Sequence, residues 1–168
     1  CGGGWIFKEV TGCDPGTAGV YRPAVDTFYF QDPAALLRKD ILAATVRHEL
    51  MHYIINSAHK ENYNPGNLWL EESFCLALFP VATYAGIQSP AEAETVLKLK
   101  EYLNCNLKST DTVKRRKAYA LAAGWGRFFV KEAGERKVFR ALTGQDVQVR
   151  WDILFDKYRS TRHNNDLP

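Results

Sequence analysis

The stretch I-L-A-A-T-V-R-H-E-L-M-H-Y-I-I, residues 41–55, decides how the rest of the chain is read. It holds no glycine or proline, and its apolar residues recur at helical intervals, which predicts a helix. Asp32 can cap that helix and Pro33 suits its first turn, and nothing breaks it before about Ala58. Leu37, Ile41, Ala44, His48, Met51 or His52, and Ile55 fall along one face. Within it, His48-Glu49-Leu50-Met51-His52 sets two imidazoles four residues apart, on the same side of a helix. Such a pair can meet one metal ion without backbone strain, and Glu49 beside it can reach a water on that ion and take its proton. Two surface histidines on an ordinary helix is the plain alternative. Val46, Leu50, Met51, Tyr53, Ile54 and Ile55 flank the motif on every side and predict a buried helix. A histidine pair and a glutamate buried there need partners.

Catalytic zinc takes three protein ligands and a water, so two histidines are an incomplete set. Between Leu68 and Ala91 the only charged residues are Glu71 and Glu72. They lie in L-W-L-E-E-S-F-C-L-A-L-F, residues 68–79, a second predicted helix that Pro80 stops and that is apolar on nearly all sides. A carboxylate buried there is costly unless neutralised, and a metal would offset that cost. The plain alternative is a helix favouring acids in its first turn.

The H-E-x-x-H motif followed, after about twenty residues, by Trp-Leu-x-Glu resembles the gluzincin metallopeptidases. These include the thermolysin-like and zinc aminopeptidase families and small peptidase MA-like domains. Trp69-Leu70-Glu71-Glu72-Ser73-Phe74-Cys75 is similar to the aminopeptidase segment W-L-N-E-G-F-A. The resemblance implies a zincin-like fold, a Zn2+ cofactor held by His48, His52 and Glu72, and Glu49 as general base. The spacing from His52 is one residue longer than in the aminopeptidases, which keeps Glu71 as an alternative ligand. Ala118-Tyr119-Ala120-Leu121-Ala122-Ala123-Gly124 occupies the place of the family's Tyr-x-x-Gly/Ala segment. Tyr119 is then implied to stabilise the oxyanion; its alternative is packing in a helix interface.

Two departures matter. The aminopeptidases bind the substrate amine through a glutamate on the edge strand, and Gly19-Val20-Tyr21-Arg22-Pro23-Ala24 has no acid. That favours an endopeptidase acting on a peptide or protein substrate. Leu76 replaces the aspartate that orients a zinc-bound histidine in thermolysin, so another residue must do so; Asn56 and Asn67 are candidates. The likeness runs from about Gly19 to Tyr158. A degenerate gluzincin that binds a peptide or cell-wall partner without cutting it, or holds a purely structural metal, is the competing reading.

Outward from the motif, the first thirty residues read as a small antiparallel sheet. Trp5–Val10 is a strand candidate and Thr11–Gly16 has turn chemistry. Gly19–Phe30 is rich in β-favouring residues, with Pro23 marking an edge or bulge where an extended peptide could pair. After Phe79, Ser89-Pro90-Ala91-Glu92 is a capping box for a helix to about Asn104. Thr110 or Asp111 caps the next, which runs to Ala133 and is closed by Gly134. Shorter helices are expected over 135–142 and 146–159, then a frayed polar tail, Arg162–Pro168. The fold class is therefore α+β: one domain, 1–168, with a small N-terminal sheet and a mainly helical bundle carrying the motif.

Composition fits that reading. The chain has 168 residues, 46% hydrophobic and 24% charged, enough for one core. Its formal net charge of +3 says little about partners. The longest weakly charged stretch, Ser73–Ala91, contains Pro80, Gly86 and Pro90, so no transmembrane segment is expected. Lys114-Arg115-Arg116-Lys117 wraps around a helix and reads as a solvated helix end; without stacking aromatics it does not suggest nucleic acid. His59 suits a helix C-terminus as a cation, and His163 sits in the tail. Cys1, Cys13, Cys75 and Cys105 fit no zinc ribbon; Cys1–Cys13 and Cys75–Cys105 is the expected pairing in an oxidising compartment, with simple packing as the alternative for Cys75. Cys1-Gly2-Gly3-Gly4 reads as a lipid-anchored start or a truncation point, and an extracytoplasmic location is expected.

Overall fold

The computed structural model describes residues 3–13, 16–59, 67–80, 95–145 and 148–163. The β-rich stretch folds back on itself. Strand β1 (Gly19–Arg22) pairs antiparallel with β2 (Thr27–Phe30), in register from Gly19↔Phe30 to Arg22↔Thr27. Pro23 does not sit in a strand: it opens a turn of 3-10 helix, Pro23–Val25, which Asp26 closes at φ 46°. Its fixed φ suits the turn, and its missing N–H removes no ladder bond.

The expected strand at Trp5–Val10 is instead part of helix α1 (Gly3–Thr11). Among the described side chains of this segment, burial falls on Phe7 and Thr11, four residues apart, with Lys8, Glu9 and Val10 exposed. That is a helical spacing, not the alternation of a strand. Thr11 Oγ1 donates to the Phe7 carbonyl, and Gly12, at φ 67°, ends the helix with its N–H on the Lys8 carbonyl.

The single helix expected from Pro33 to Ala58 is two. Helix α2 (Pro33–Arg38) is capped by the Asp32 side chain on the Ala34 N–H. It ends in a Schellman turn, with Asp40 at φ 54° donating to the Leu37 carbonyl and Ile41 to that of Leu36. Leu36 and Ile41 are both buried, and Leu37, expected on the inner face, is exposed. The bend changes the phase of α2 relative to α3 (Leu42–Ala58), the helix of the H-E-x-x-H motif. Helix α3 is not buried all round either. Thr45, His48, Glu49 and Ile55 face inward, while Val46, Leu50 and Ile54 are 40%, 44% and 39% exposed.

Helices α4 (Leu68–Leu78), α5 (Val96–Asn106), α6 (Thr112–Ala133), α7 (Glu135–Leu142) and α8 (Trp151–His163) build the bundle. Its centre is the contact of α4 with α6. A Cβ on Gly126 would overlap the Ser73 carbonyl, so glycine is what lets the two backbones touch. Trp125, fully buried, stacks near Trp69 at 6.5 Å and meets Phe129, Phe155 and Tyr158 edge-on or tilted at 5.4–5.6 Å. Asp111 caps α6 by accepting from the Val113 and Lys114 N–H groups, and Gly134 stops it at φ 85°. Thr95 caps α5 on the Lys98 N–H; the expected capping box at 89–92 lies outside the described residues.

The last helix starts and ends later than the expected 146–159, and includes Arg162 and His163 of the expected frayed tail. Phe155 and Tyr158 bury against Trp125, which anchors the helix by packing despite its polar end. The Cys75–Cys105 pairing is not formed: Cys13, Cys75 and Cys105 are free, with Cys75 buried in α4 and Cys105 exposed on α5. Cys1 lies outside the described residues. Among the described residues no helix is long and apolar enough to cross a membrane. The architecture is a small two-stranded sheet and a mostly helical body, an α+β arrangement.

Candidate metal centre

The packing of α3 against α4 brings His48, His52 and Glu72 together. His48 Nε2 lies 3.1 Å from His52 Nε2 and 3.3 Å from Glu72 Oε2, and His52 Nε2 lies 3.7 Å from Glu72 Oε1. Donors bound to one tetrahedral ion at zinc's usual bond lengths stand about 3.3 Å apart. The three donor groups match that triangle, and their ligating atoms all fall within 4.8 Å of one another. Glu72 Oε2 is buried without a hydrogen bond, and so is His48 Nδ1. Burial opposes charge on Glu72, but His52 and His48 outweigh it and hold the carboxyl well below its usual range. The set of two imidazoles and one carboxylate, converging on one point with an orphaned oxygen, fits a divalent cation of the zinc type.

Glu71 is not part of that triangle. It is 5% exposed, and its Oε1 is 2.7 Å from His52 Nδ1, on the far side of the ring. Donation from Nδ1 to Glu71 leaves the Nε2 lone pair directed at the cluster. Glu71 thus takes the orienting role for which Asn56 and Asn67 were the candidates. Asn56 hydrogen-bonds Tyr21, and Asn67 is the N-terminal flank of α4 without a side-chain cap. The available signal was the adjacency itself: two consecutive acids in a helix apolar all round need two partners. Burial opposes the imidazolium of His52, but Glu72 and Glu71 carry its pKa well above the ordinary value, a proton that a cation bound at Nε2 would displace. Cys75 Sγ lies 3.9 Å from His52 Nδ1, away from the triangle, and burial pushes its thiol up to about 11, so it stays neutral at physiological pH.

Glu49 is 8% exposed and tied to the sheet. Its Oε2 accepts the Tyr21 N–H at 2.8 Å. Gly19 permits this approach, because a Cβ there would sit 2.9 Å from Thr45 Cγ2 and from Phe30 Cδ1. The bond occupies one carboxylate oxygen and leaves the other for a water or substrate proton. Burial raises the Glu49 pKa, with His48 and His52 pulling it down. The sequence does not show this tether, since a backbone donor from a strand leaves no mark in residue type.

A cavity of about 200 Å³ opens on this side, lined by Gly19, His48, Glu49 and Tyr119. Tyr119 is half-buried on α6, so the structure brings it to the same cavity as the motif. The basic run is not wholly a solvated end: Arg115 and Arg116 line the cavity too, while Lys114 and Lys117 are exposed. His59 is buried at the end of α3 and donates from Nε2 to the Leu142 carbonyl, tying α3 to α7. Among the described residues no second cluster of metal-ligating side chains forms. Compared with known proteins, the chain matches no family model, no curated protein and no solved structure.

Proposed function

We propose that the chain is a zinc-dependent peptidase of zincin-like fold that cuts within peptides by activating water. One observation carries the reading: His48, His52 and Glu72 converge at the separations of a single tetrahedral ion, with Glu49 beside them at a cavity that reaches Gly19 of β1. A zinc ion there would lower the pKa of a bound water toward neutrality and polarise the scissile carbonyl. Glu49, fixed by the Tyr21 N–H, accepts the water proton and returns it to the leaving amine. Tyr119 supplies a hydroxyl for the developing oxyanion. Glu71 keeps His52 in the tautomer that binds metal. Tyr21 gives its outward N–H to Glu49, so an extended substrate chain would meet β1 at its Gly19 end, where the strand reaches the cavity. A module that only binds would have no use for a buried glutamate in this position.

The test is hydrolysis of casein by the purified chain. Cleavage should stop with chelator and return with zinc. Glu49→Gln should keep one zinc per chain by elemental analysis while activity falls about 10²–10⁴-fold. Full activity in that variant, or zinc-independent cleavage, would sink the assignment.

A further inference from the structure

Resting on the peptidase reading, we propose that the cavity beside the metal cluster selects a carboxylate on the peptide, either an acidic side chain next to the scissile bond or a free C-terminus. Three of the side chains lining it are cationic: Lys39, Arg115 and Arg116. Among the described residues the sole carboxylate in the lining is Glu49, next to His48. Lys39 is exposed where the turn after α2 places it, and Arg116 is exposed on the first turns of α6. Neither makes an ion pair among the described residues. Arg115 is half-buried, and its Nη1 donates to the Ser109 carbonyl at 2.8 Å, which holds the guanidinium at the wall. Asp111, the acid nearest to Arg115 and Arg116 in sequence, is engaged in capping α6, and neither it nor Asp40, next to Lys39, lines the cavity.

Cations from the start of α6 and from the turn between α2 and α3 concentrate positive potential in the recess. Guanidinium groups match a carboxylate in shape and charge. The cavity, about 200 Å³, has room for a side chain or a chain end. For a site that acts on peptides, the anion that such a group brings is a carboxylate.

The inference is tested first by binding. Glu49→Gln protein with added zinc is titrated with three fluorescein-labelled hexapeptides: one with central Glu and an amidated end, one with Gln in its place, and the Gln peptide with a free carboxyl end. Anisotropy should show the Glu peptide, the free-ended peptide or both binding about 5- to 10-fold tighter than the neutral one. Which of the two gains identifies the source of the carboxylate. The preference should fade as salt rises and vanish in the Lys39→Ala/Arg116→Ala double variant, whose exposed positions leave the melting temperature unchanged. Equal binding of the three, no binding of any, or a preference that survives the double substitution would overturn it. A second arm digests a proteome-derived peptide library with wild-type protein and maps the cuts by mass spectrometry. Cleavage with no enrichment of acids or chain ends overturns the selectivity and leaves the peptidase standing. Carboxylate-selective binding with no cleavage does the reverse.

Discussion

Glu71 and Glu72 are buried side by side on α4, and each meets His52 from a different side of its ring. Their roles separate by geometry. Glu72 shares the triangle with both Nε2 atoms, and Glu71 holds the opposite nitrogen. Glu71→Ala should therefore retain the metal set but weaken zinc binding about 10- to 100-fold, read by competition with a fluorescent chelator. Glu72→Ala should abolish stoichiometric zinc; if Glu71→Ala instead abolished it and Glu72→Ala did not, the roles would be exchanged. The donor set was legible because helical spacing alone places His48 and His52 on one face, and an acid in an apolar helix needs a partner. The orienting residue was not, since it depends on which flank of the ring each neighbouring acid meets. That is fixed by the rotation of α4 against α3, which residue type does not record.

Among the elements, α6 ties the bundle to the site, since one end lines the cavity and its middle packs on α4. Gly126 faces the Ser73 carbonyl, one residue after Glu72, so the close approach of the two helices also sets the height of the cluster. Gly126→Ala should force them apart at a cost of about 3 kcal/mol, seen in chemical denaturation, with loss of zinc affinity as the second readout. Unchanged stability would mean that α4 does not rest on α6 there. At its start, α6 depends on Asp111, whose pKa is lowered by the Lys114 and Val113 N–H groups. A carboxyl with a folded pKa below its unfolded value stabilises at neutral pH and loses that contribution as pH falls through the folded value. Wild type should thus melt above Asp111→Ala near pH 7, and the gap should close as pH falls below the ordinary aspartate range. A gap independent of pH would show that the cap acts through something other than its charge. The long helices were legible from caps and stops, Asp111 and Gly134 above all. Helix α1 was not: Trp, Ile, Phe and Val in a short run favour a strand by type, and only the burial of Phe7 and Thr11 in the folded chain gives its period away. The break at Asp40 was hidden for a related reason, because no glycine marks its left-handed turn.

For the whole molecule, the cluster joins parts that otherwise have separate supports. His48 and His52 come from α3, Glu72 from α4, and Glu49 ties α3 to the β-hairpin through Tyr21. The bundle side has an extensive aromatic core around Trp125, whereas the hairpin is two strands of four residues each, too small to stand alone. A bound ion must therefore stabilise the junction more than the bundle. Free zinc at about 100 times its Kd should add about 2.7 kcal/mol, which for a chain of this size is about 5–10 °C in Tm. Chelation should reverse the shift, and hydrogen exchange should localise the loss of protection to α3, the start of α4 and the hairpin. Exchange in the middle of α6, around Trp125 and Phe129, should stay slow, because those side chains are buried without help from the cluster. If chelation instead unfolded the whole chain and restored zinc brought no hydrolysis, the ion would be structural, and the catalytic roles given to Glu49 and Tyr119 would fall with that result.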